Sequence, residues 1–124
     1  MPINWEAKRR DVQRIIARAP WEITVRRKGR TPDDEETSFT FTGAIAPGGK
    51  ALSPEMVELI SRMSGEHPVG RGDWVMLAPY DTDEIKQGDE VEAESPDTGY
   101  KQHFRVAYAA RFESKWECII HERQ

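Results

Sequence analysis

A single cysteine, Cys118, leaves the 124-residue chain without the pair that an intrachain disulfide requires. Aromatic residues make up 9% of it and hydrophobic residues 37%. No apolar run approaches the roughly 20 residues of a membrane-spanning helix. The opening Met1-Pro2-Ile3-Asn4-Trp5-Glu6 has neither the basic start nor the apolar stretch of a secretory signal. These shortages exclude a disulfide scaffold and a helical membrane protein, and they predict a soluble chain kept in a reducing cytosol. Length alone is enough for one domain that buries roughly two-thirds of its unfolded surface.

Catalytic and metal-binding patterns are also scarce. Cys118 and His121 form the one close Cys/His pair, and in a strand residues three apart point to opposite faces, so the two do not converge. The glycines of 43–49 and 70–72 lack phosphate-loop spacing and a following Lys-Ser/Thr. Asp33-Asp34-Glu35-Glu36 reads as a solvated loop, and Asp81, Asp83 and Asp89 read as turn residues. The expectation is no enzyme, no metal and no cofactor.

What is abundant is charge, unevenly placed. Residues 1–30 carry nine Lys/Arg against three acids, a net of +6, and the rest of the chain carries a net of −10. Such a field favours partners of opposite sign, further copies of the chain among them.

The basic segment reads as a helix over 4–18. Asn4 is placed to cap it, Glu6 suits its positive end, and Pro20 stops it. Trp5, Val12, Ile15, Ile16 and Ala19 form a narrow apolar stripe, with Lys8, Arg9, Arg10, Arg14 and Arg18 on the other faces. Those five residues are the candidate partner-binding set, and the helix is expected at the edge of the body. The division predicted is a basic helix over 1–20 and a body over 21–124.

After Pro20 the period shortens to two. Trp21, Ile23 and Val25 alternate with polar residues, an exposed connection follows over 28–36, and Thr37 to Thr42 resumes strand character that Gly43 to Ala46 extend. Ser53-Pro54-Glu55 opens a second helix over 53–63, with Leu52 set to staple onto Val57. Its apolar face holds Met56, Val57, Leu59, Ile60 and Met63. Gly65 ends it, and glycine- and proline-rich flanks on both sides read as hinges.

From Asp73 onward strands and turns alternate. Val75 and Leu77 are expected inward, with Trp74 and Met76 on the opposite face under a helix. Val91, Ala93, Phe104, Val106 and Ile120 complete the expected core with Trp21, Ile23 and Phe41. A phase break at Phe112 predicts a bulge or turn near 109–111. The count is six strands and two helices: a mainly β, α+β protein, a small antiparallel barrel with an N-terminal helix and one inserted short helix.

The order of features resembles a known group. A hairpin over 21–46 and an interrupting segment precede Asp73-Trp74-Val75-Met76-Leu77-Ala78-Pro79. The turn phrase Ile85-Lys86-Gln87-Gly88-Asp89-Glu90-Val91 follows. Phe104-Arg105-Val106-Ala107-Tyr108-Ala109-Ala110-Arg111 and Trp116-Glu117-Cys118-Ile119-Ile120 come last. Over residues 21–121 this is similar to the head-completion proteins of tailed bacteriophages and prophages, also called head–tail connector or stopper proteins. The basic N-terminal helix and the apolar helix 53–63 depart from that group's commonest pattern. The resemblance implies a structural virion protein, made in the bacterial cytoplasm, that forms a ring between portal and tail. Its implied partners are copies of itself, a portal or adaptor protein, a tail protein and DNA passing through the channel, with no membrane and no cofactor. The alternative is a small barrel module binding nucleic acid or a protein partner in a bacterial cell. A basic helix can track phosphates, while the acidic body repels them.

Overall fold

The computed structural model describes residues 3–29, 35–48, 52–62 and 73–123. Helix α1 spans Trp5–Arg18; the Asn4 side chain accepts the Ala7 N–H at 3.1 Å, and the chain leaves the helix just ahead of Pro20. Six strands follow, β1 (Trp21–Arg27), β2 (Thr37–Pro47), β3 (Asp73–Pro79), β4 (Glu90–Glu94), β5 (Lys101–Arg111) and β6 (Lys115–Glu122), with α2 (Pro54–Arg62) inserted between β2 and β3. Every pairing is antiparallel, in the order β1-β2-β3-β6-β5-β4, and β4 returns to β1 to close the barrel. This is the small antiparallel barrel with two helices that the sequence predicts. Most of the expected hinge residues, Gly49 and 65–72, lie outside the described residues, as do Met63 and 30–34.

The barrel interior holds Trp21, Ile23, Val25, Ile45, Met76, Val91, Phe104, Val106, Cys118 and Ile120, with Phe39, Phe41 and Trp74 packed against them. Trp74 meets Phe104 edge-on, ring centroids 5.7 Å apart. The expected phase of β3 is therefore reversed. Trp74, Met76 and Ala78 point inward, while Val75 and Leu77 face out. The run Trp74-Val75-Met76-Leu77-Ala78 is apolar on both faces and has no alternation to read. Its neighbours set the phase: Met76 lies opposite Ile45 on one side and Cys118 on the other, and opposed residues share a face. Val75 stays buried because α1 lies against β2 and β3.

A second, smaller apolar layer sits outside the wall. Met56 and Ile60 of α2 cluster with Ile119 and Ala110, joined by Leu52, Leu59, Ala107, Tyr108 and Phe112. Two further expectations are corrected here. The bulge falls between Val106 and Tyr108, earlier than expected, and it turns Tyr108 out of the barrel face toward α2. Val57 is 52% exposed, so Leu52 joins the Met56 layer in place of a staple with Val57. Ile15, expected on the buried stripe of α1, is likewise exposed; Val12 and Ile16 are the buried pair.

One glycine governs the seam between β2 and β3. A Cβ on Gly43 would stand 2.5 Å from the Leu77 carbonyl oxygen. Only glycine allows that approach, and it lies where β2 begins its pairing with β3, Ala44 opposite Leu77.

Candidate functional site

The five basic residues of α1 divide into two groups. Lys8 and Arg9 flank the buried stripe and hold the helix to the body. The Lys8 ammonium lies 3.8 Å from Glu55 of α2. The Arg9 guanidinium stacks on the Tyr80 ring at 3.7 Å and donates to the Glu113 carbonyl at 2.9 Å. Arg10, Arg14 and Arg18 recur every four residues, so they form one row on the side away from Val12 and Ile16. All three are exposed. Arg14 lies 3.7 Å from Asp11, and among the described residues no ion pair reaches Arg10 or Arg18. The row is therefore a rigid, outward-facing positive strip on an otherwise acidic chain.

Beside the tethered pair lies a groove of about 580 Å³. Trp5, Lys8 and Arg9 of α1, Tyr80 after β3 and the 111–114 hairpin between β5 and β6 form its walls. Ile3 at its rim is 54% exposed.

Among the described residues two carboxylates are buried, and each is fully occupied. Asp89 accepts both arms of the Arg27 fork, at 2.8 and 2.7 Å, and the Lys86 N–H at 2.9 Å. Hydrogen bonding from Asp89 raises the Arg27 pKa above its ordinary value. Gly88, at φ +92, closes the turn, and its N–H donates to the Val106 carbonyl. This pair fastens the crossing from β3 to β4 over the end of the barrel. Glu117 points outward from β6 yet has no exposed surface. It accepts the Ser53 hydroxyl at 2.6 Å and the Ser53 N–H at 3.0 Å, and the Lys115 ammonium lies 2.9 Å away. Ser53 Oγ in turn accepts the Met56 N–H at 3.2 Å. The cap of α2 is thus gripped by a carboxylate from the barrel wall.

No family model, curated protein or solved structure matches the chain.

The remaining chemistry-bearing side chains are apart from one another. Cys118 lies inside the barrel, and burial pushes its thiol pKa well up, which keeps it protonated and unreactive. His121 is on the outside, 2.9 Å from Asp73. Among the described residues no group of three or more His, Cys, Asp or Glu could hold a metal. No described helix is long and apolar enough to cross a membrane.

Glu117 is the most deeply buried of the polar residues that the sequence reading passes over, with Lys115 and Ser114 beside it. Its signal lies in its neighbours: Lys115, Glu117 and Ile119 share one face of β6, and an apolar Ile119 on that face marks it as covered rather than solvated.

Proposed function

We propose that the protein is a structural head–tail connector or head-closure component of a phage or prophage particle, assembling as a ring between portal and tail. The proposal joins the resemblance over residues 21–121 to one observation. The Arg10–Arg14–Arg18 row is held outward by a helix that Lys8 and Arg9 tether to the body. A positive strip on one subunit and an acidic body on the next make a head-to-tail contact, and head-to-tail contacts close into rings when the rotation permits. Portal or adaptor and tail proteins are the neighbours above and below, and DNA passes through the channel. No catalytic step is assigned to the protein.

The test is charge reversal at Arg10 and Arg14 in the full chain, followed by light scattering across a salt series and electron microscopy. The wild type is expected to form particles larger than a pair of copies. The reversed variant is expected to stay folded and lose them, with the largest difference at low salt, where screening is least. Assembly unchanged by the reversal overturns the reading. Single-stranded DNA binding that the same reversal abolishes would move the function to a nucleic-acid-binding barrel module.

A further inference from the structure

The barrel is closed, but β2 is paired on both sides over no more than part of its length. β2 pairs with β1 from Thr37 to Gly43, but with β3 only from Ala44 to Pro47. Among the described residues no second strand pairs with Thr37–Thr42. Exposure changes at the same point: Thr37, Ser38, Thr40 and Thr42 are exposed and Phe39 and Phe41 half-buried, whereas Gly43 and Ile45 are buried. Alternate residues of a strand turn their N–H and C=O groups to the far side, so this stretch offers about three such pairs to an added strand.

The composition of the edge is that of a strand made for pairing. Thr37-Ser38-Phe39-Thr40-Phe41-Thr42 has no charge, no proline and no glycine, and every residue favours or tolerates a pleated sheet. Solvent-facing edges are ordinarily blunted by lysine, proline or a bulge. None is present here.

We propose that this edge is an interface with a second copy of the chain, joined antiparallel through β2 about a two-fold axis. β5 is also paired on one side only beyond Val106, but there it packs with α2 and ends in Arg111; the uncharged edge that matches β2 is the same segment of another molecule. A two-fold axis normal to the sheet keeps the inner faces together. Phe39 then lies opposite Phe39 of the other copy when the axis passes there, and opposite its Phe41 when the axis passes at Thr40. Either register sets aromatic side chains on one face and hydroxyls on the other, and both kinds of cross-strand pair are favourable.

Charge supports the same arrangement. Running antiparallel, the added strand brings its own exposed Glu36 and Glu35 to the end of β3. There the Arg9 guanidinium lies on the Tyr80 ring, with exposed Arg10 beside it on the helix. Each copy contributes the acids and receives them, as a two-fold contact requires. This pairing is independent of the ring proposed above: it ends at two copies and does not use the Arg14–Arg18 half of the row.

The test uses the full chain. Ser38→Lys/Thr40→Lys places like charges across the axis on exposed positions. It is expected to raise the dimer dissociation constant by about tenfold or more, with the circular dichroism unchanged. Thr40→Cys is expected to form a disulfide-linked dimer if the axis passes at Thr40, and a mixture of Ser38→Cys and Thr40→Cys chains a mixed disulfide if it passes at Phe39, because Cys118 is buried and does not compete. Thr24→Cys, on a strand paired on both sides, is the collision control. A wild type that stays monomeric at all concentrations overturns the proposal. So does cross-linking no faster than that of Thr24→Cys, both for Thr40→Cys and for the mixture of Ser38→Cys with Thr40→Cys. Loss of larger assemblies after reversal at Arg14 and Arg18, with pairs retained, would separate the two interfaces.

Discussion

Helices α1 and α2 rest on the same barrel and are attached by different means. α1 buries two side chains, Val12 and Ile16, and its polar ties to the body, Lys8 with Glu55 and Arg9 with Tyr80 and Glu113, are partly exposed. α2 also buries two side chains, Met56 and Ile60, but its first turn is gripped by the fully buried Glu117. Exposed ion pairs contribute about 0–1 kcal/mol each. A charged hydrogen bond out of water contributes about 1.5–3 kcal/mol, and leaving one partner orphaned costs more. The shorter helix is therefore the more firmly seated at its N-terminus. The longer one keeps a charged face available to neighbours.

The comparison is broken most severely at Glu117. Glu117→Ala leaves the Lys115 ammonium, about 10% exposed, with the longer 3.5 Å contact to Glu55 alone, and the Ser53 N–H without its carboxylate. The expected loss is about 3–5 kcal/mol in chemical denaturation. The double variant Lys115→Met/Glu117→Leu is expected to lose much less, because apolar groups of similar volume need no partner. Equal losses for the single and double variants would show that the carboxylate is not what seats α2.

On the α1 side the effect is apolar and smaller. Ile16→Ala is expected to cost about 2 kcal/mol, at the low end for a buried isoleucine because the site opens to solvent at a helix edge. Ile15→Ala, at 46% exposure on the same turn, should stay within about 0.5 kcal/mol. Thermal melts of the two variants side by side measure the width of the buried stripe directly.

The smallest expected effect lies where the helices meet. Glu55 has its pKa lowered, first by its own backbone N–H at the start of α2, then by the Ser53 hydroxyl and by Lys115, with desolvation opposing. A carboxylate with a depressed folded pKa stabilises the fold above its unfolded value of about 4.3, and the contribution is lost as pH falls through the folded value. Because the side chain is nearly half exposed, the contribution is a few tenths, about 0.3–0.5 kcal/mol. Denaturation of Glu55→Gln and wild type should therefore differ slightly at neutral pH and converge in acid. A gap that widens on acidification would reverse the sign and remove Glu55 from the contact.

Much of this architecture was legible from residue order. Asn4 caps α1, Pro20 marks its end, period-two alternation marks β1, β4 and the first half of β5, and Gly88 and Gly99 sit at turns with positive φ. Three features were not. The phase of β3 was hidden because both of its faces are apolar, one toward the barrel interior and one toward α1. The bulge at 106–108 was displaced because Ala107 and Ala109 fit either face. The candidate basic set of five was named as a unit, whereas packing divides it into two tethering residues and an outward row.

Local alternation, caps and turn residues act over a few positions, and those interactions suffice to specify which segments become helix or strand and where most of them end. Pairing acts between residues far apart in the chain, such as Met76 with Cys118 and Trp21 with Gly43. It is this pairing that set which face of β3 turns inward, buried Glu117 beneath the cap of α2, and left half of β2 without a second neighbour. An isolated strand has no preferred side until an adjacent strand supplies one, and a carboxylate is solvated until a helix is laid over it.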